Sequence, residues 1–151
     1  MVAIDIKVVI NVAKNLNLLP ALKAGIKAAT LYVKGKISPY PPATAANAQH
    51  YPGTWYERGY GPRWMRKDGS IHGRKTSETL GRKWATRTQD DGLTGIVGNK
   101  ASYGPYVQDR DFQARFHGAR GWKTVQDVAE AEAESVRQII RDSIMSAITR
   151  S

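Results

Sequence analysis

The chain has no cysteine. Disulfides, thiolate metal sites and cysteine nucleophiles are therefore excluded, which fits a reducing compartment. No run approaches the ~18 consecutive apolar residues of a membrane span. The start, Met1-Val2-Ala3-Ile4-Asp5, lacks the basic and then apolar pattern of a signal peptide. Histidine is scarce: His50, His72 and His117 lie far apart without ligand spacing, so a metal site would need the fold to gather them with carboxylates. Asp90-Asp91 looks like a carboxylate pair, but adjacent turn residues point apart. Gly59-x-Gly61 lacks the third glycine and the following helix of a phosphate loop, and Ser77 and Ser102 stand in no nucleophile motif. The residues therefore give no support for an enzyme, a cofactor or a metal. Acid is also in short supply. Thirteen Asp and Glu against 23 Lys and Arg leave a formal net charge of +10. A field of that sign attracts polyanions and speeds encounter with them.

What is present suits one domain over residues 1–151, with 41% hydrophobic residues to build a core. Ala3-Ile4-Asp5-Ile6-Lys7-Val8 alternates apolar and polar, which predicts a half-buried strand running as far as Ile10. Leu19, Leu22, Ile26, Ala29, Val33 and Ile37 recur at spacings of three and four, and Pro20 sits where a first helical turn accepts it. That predicts a helix over about 19–36, with Lys23, Lys27 and Lys34 on its solvated side. Further on, Asp90-Asp91-Gly92 separates two β-prone runs and predicts a hairpin over about 82–99. Trp84, Thr86 and Thr88 share one face of its first strand; Lys83, Ala85 and Arg87 share the other. The final helix, over about 124–149, starts at Thr124 with Asp127 three residues on, as in a capping box. Val125, Val128, Val136, Ile139, Ile140, Ile144 and Ile148 form its apolar stripe, which Glu132 interrupts. A second apolar line is available to a neighbouring subunit. The fold class is α+β: a small antiparallel sheet packed with an N-terminal and a long C-terminal helix.

Between the two halves, residues 38–77 read as a projecting loop or arm. Pro39, Pro41 and Pro42 end the helix. A structureless stretch of that length is uncommon in a compact domain and is usually functional or disordered. Its aromatic content argues against simple disorder, so we expect an extension ordered by a partner. Asp68-Gly69 closes a small hairpin within it. From Arg58 to Arg87 nine basic residues stand against two acidic ones, a net of +7. Guanidinium groups pair with phosphates, so Arg58, Arg63, Arg66, Lys67, Arg74 and Lys75 are candidates to face nucleic acid or a channel lumen. Aromatic residues with arginine are equally the composition of protein interfaces, so Trp55, Tyr56, Tyr60, Trp64, Tyr103 and Tyr106 are candidates for contacts between subunits.

One segment carries a resemblance. Thr79-Leu80-Gly81 and Trp84 precede the hairpin, Ser102-Tyr103-Gly104-Pro105-Tyr106-Val107-Gln108 follows it, and Arg115-Phe116-His117 and Gly121-Trp122-Lys123-Thr124 lead into the last helix. In this order the chain resembles the tail-completion or neck proteins of tailed bacteriophages, over residues 76–149 and more loosely in the first helix. Gln108-Asp109 departs from the family's usual Glu and glycine. The resemblance implies a structural virion protein, assembled in the host cytoplasm, at the head–tail junction. Its partners would be itself, as a sixfold ring, other neck and tail proteins, and DNA contacted non-specifically in the channel, with no membrane. A basic, non-sequence-specific nucleic-acid-binding module is the alternative.

Overall fold

The structure, a computed structural model, describes residues 2–7, 18–41, 63–65, 67–73 and 79–150. Strand β1 (Val2–Lys7) and helix α1 (Leu19–Ile37) come first. Two short strands, β2 (Arg63–Met65) and β3 (Ile71–Gly73), pair antiparallel around Asp68-Gly69 as a separate two-stranded sheet. Helix α2 (Thr79–Arg82) leads into the hairpin of β4 (Trp84–Gln89) and β5 (Thr94–Asn99). The short helices α3 (Gly104–Gln108) and α4 (Arg115–Ala119) precede the 25-residue α5 (Val125–Thr149). None of the described helices is long and apolar enough to cross a membrane.

The main sheet is antiparallel in the order β1-β5-β4. Its register sets Ile4 opposite Val97 and Val97 opposite Thr86. Ile4, Val97 and Trp84 face the helices and join Leu22, Ile26, Ala29, Val33 and Ile37 of α1 in one core, with Val125, Val128 and Ile140 of α5. The β4–β5 turn is tight. Asp90, Asp91 and Gly92 all have positive φ (51°, 54° and 88°), a region open to glycine and tolerated by aspartate. The Thr94 hydroxyl donates to the Asp90 carboxylate, and Lys23 of α1 reaches Asp91 at 2.7 Å. One predicted solvated lysine is thus a tether from helix to turn.

Helices α1 and α5 run antiparallel. The Ser143 hydroxyl donates to the Ala21 carbonyl at 2.8 Å, and a Cβ at Gly25 would sit 3.1 Å from the Ile140 Cα. At the other end, Glu132 accepts from the Tyr32 hydroxyl at 2.6 Å and lies 3.7 Å from Lys36. This explains the break in the apolar stripe of α5: Glu132 meets a polar partner on the opposite helix. The capping box at Thr124 and Asp127 forms in both directions.

A second, smaller core contains Leu80, Ala101, Val107 and Trp122, with Tyr40 packed against it. Tyr40 meets Trp122 edge to face at 4.8 Å between ring centres. Two expectations shift accordingly. Residues 38–41, read as the root of the arm, belong to the body, because Pro41 is buried and Tyr40 packs on Trp122. The first strand ends at Lys7, and its expected continuation to Ile10 lies outside the described residues.

Candidate functional site

The segment from Ala101 to Thr124 holds together through polar side chains rather than long elements. Gln108, 2% exposed, donates from Nε2 to the Ile37 carbonyl (3.2 Å) and more weakly to the Lys123 carbonyl (3.4 Å). It thereby ties the end of α1 to the start of α5. Gln113 donates from Nε2 to the carbonyls of Val107 (2.7 Å) and Trp122 (3.0 Å). Arg110 places its guanidinium across α5, with NH1 2.9 Å from Glu130 and NH2 2.8 Å from Asp127. Hydrogen bonding to Thr124 first, and to Arg110 next, brings the Asp127 carboxyl from 3.8 down to about 2. His117 stacks edge to face on Trp122, and burial first, then Arg120, pushes its pKa down.

On this braced segment three large side chains point to solvent: Tyr103 (42% exposed), Tyr106 (60%) and Phe112 (63%). Tyr103 and Tyr106 are two of the predicted interface residues. Phe112 escaped sequence reading, because a lone aromatic among Asp109, Asp111 and Gln113 carries no periodic signal. The backbone beneath them is constrained: the Ala114 N–H donates to the Tyr106 carbonyl at 2.9 Å, and Gln113 N–H to the Asp109 carbonyl at 2.7 Å. Rigid aromatic residues displayed to water on a fixed turn are the usual anchors of protein interfaces.

Beside this segment lies a cleft of about 180 Å³ between Ile37, Tyr40, Pro41, Gln108 and Trp122, with Lys36 and Lys123 also lining it. The lining offers amide, indole, phenol and ammonium groups, and no carboxylate, thiol or imidazole. Among the described residues, no three His, Asp or Glu side chains gather as a metal group.

Of the remaining predicted residues, Arg63 and Trp64 lie in β2, opposite Gly73 and His72, and Lys67 is exposed in the turn that follows. Trp55, Tyr56, Arg58, Tyr60, Arg66, Arg74 and Lys75 lie outside the described residues. Arg87 of β4, two residues on from Ala85 and out of phase with the helix-facing Trp84, is exposed on the side of the sheet away from α1 and α5, and Lys83, just before β4, is exposed as well. Comparison with protein-family models, curated proteins and solved structures finds no match to this chain.

Proposed function

We propose that this chain is a structural subunit of a tailed-phage virion, a neck or tail-completion component that assembles as a ring around the DNA channel. The motif order from Thr79 to Thr124 supports the phage assignment. The observation that carries the subunit reading is the exposed trio Tyr103, Tyr106 and Phe112 on a turn clamped by Gln108, Arg110 and Gln113. A surface that is apolar yet rigid loses little conformational entropy on association. In this reading the arm reaches a neighbouring copy, Trp55, Tyr56, Tyr60 and Trp64 anchor it there, and the arm's basic residues line the passage. Contact with DNA is then independent of sequence, because phosphate contacts position without specifying.

Deleting Tyr51 to Gly69 tests this. The variant should keep a cooperative melt and native helix content, since the described residues of both cores lie elsewhere, yet fail to form rings by sedimentation velocity and fail to complement virion assembly. Loss of folding would place the arm in the core and refute the reading. The second reading, a monomeric nucleic-acid-binding module, is favoured by the exposed cations Lys83, beside β4, and Arg87 within it. It would be established by full-length protein that stays monomeric and binds DNA in a salt-sensitive way.

A further inference from the structure

The face of the main sheet turned away from α1 and α5 carries exposed cations that the assembly reading does not use, beside a buried Ile96 opposite Arg87. Trp84 faces the helices, so strand alternation sends Lys83, Ala85 and Arg87 to the opposite face. Trp84 pairs with Asn99, and the Lys100 N–H donates to the Lys83 carbonyl at 3.1 Å. Lys83 and Lys100 are therefore cross-strand neighbours on that face. Both are exposed, as is Arg87. Among residues whose side chains are described, none of the three forms an ion pair. Like charges directly opposite one another weaken strand pairing, and a bound anion relieves that repulsion. Between the cations, the register sets Ala3, Gly98 and Ala85 in a row across the three strands. Side chains this small leave a flat floor on which an extended polyanion lies close. From Lys83 to Arg87 the strand rises ~13 Å, about four axial phosphate steps of one DNA strand.

We infer that this open sheet face, through Lys83, Arg87 and Lys100, is a binding surface for the phosphate backbone of duplex DNA. The inference deepens the proposed reading, which has DNA passing through the assembly, and assigns contact to the body of the subunit as well as the arm. The sheet presents no groove-reading helix, so the contact is to backbone and carries no sequence preference.

Fluorescence anisotropy of the full chain with two labelled 20-base-pair duplexes of unrelated sequence, titrated at rising NaCl, tests it. The wild type should bind both alike. In K83Q/R87Q/K100Q the slope of log affinity against log salt should flatten by ~2.7, three phosphate contacts at ~0.9 each. An equally charged control, K27Q/R141Q/R150Q, should keep the wild-type slope. A triple variant with the wild-type slope, a control that flattens as much, or a wild type that does not bind at low salt would each overturn the inference. So would flattening only in R63Q/R66Q/K67Q/R74Q/K75Q, which would assign the phosphates to the arm. Sedimentation of the same samples separates the two ideas. Rings with an unmoved slope retire the sheet face and keep the subunit reading. A monomer whose slope still flattens keeps the sheet face and retires the ring.

Discussion

Gly95 sits in the middle of β5, beneath α1. A Cβ built there would lie 2.0 Å from Thr30 Oγ1, 3.2 Å from Thr30 Cβ and 3.3 Å from Ile26 Cγ2. Thr30 is 2% exposed and Ile26 fully buried. The Thr30 hydroxyl is also held, donating to the Ile26 carbonyl at 2.6 Å. Neither neighbour can give way cheaply. Overpacking a close-packed core costs ~1–3 kcal/mol, and with both neighbours locked Gly95→Ala belongs near the top of that range, ~3 kcal/mol. For a chain of this length that lowers the melting temperature by ~6–12 °C. Thr30→Ala removes the clashing oxygen and a buried methyl, with a loss of ~1–2 kcal/mol alone. In Gly95→Ala/Thr30→Ala the new methyl occupies the space that Oγ1 vacates. The two losses should therefore fail to add, with a coupling of ~2 kcal/mol in favour of the pair. Urea unfolding of the four proteins, with equal m-values checked first, measures this directly. A Gly95→Ala midpoint equal to wild type, or losses that add to within ~0.5 kcal/mol, would refute the close approach of α1 to β5.

Asp127 has its carboxyl held down, from 3.8 to about 2, so its contribution is complete above pH 3.8 and disappears as pH falls through about 2. The side chain is half exposed (49%), so screening leaves ~1 kcal/mol of the linkage. Asp127→Asn should remove that component, giving a flatter fall in melting temperature across this window than wild type; parallel curves would show that the cap carries no pH-dependent stability. Trp122→Ala empties the centre of the second core and should cost ~3–5 kcal/mol, read by thermal melting. An unchanged melt would mean that the contact of Tyr40 with Trp122 contributes nothing to stability.

Much of the architecture was legible because long periodic segments announce themselves. The stripe of α1, the Thr124 cap of α5 and the Asp90-Asp91-Gly92 turn are local signals, decided within a few residues by side-chain spacing and backbone preference. The alternation that separates Trp84 from Lys83 and Arg87 is equally local. The short helices α2, α3 and α4 were not legible: four or five residues are too few to show a period. They are held by long-range bonds such as Gln108 to Ile37, and Asn99 to the Leu80 carbonyl at 2.8 Å. Glu132 looked like a flaw in a stripe until Tyr32, a hundred residues away, supplied its partner. Lys100 joined Lys83 and Arg87 only through the pairing of β5 with β4. The sequence by itself determined the long helices, the main hairpin and its turn, because those choices rest on neighbours along the chain. Which polar groups meet, which cations share a face and which glycine lies under a helix were decided only by tertiary structure, because they depend on distances between elements that no local spacing encodes.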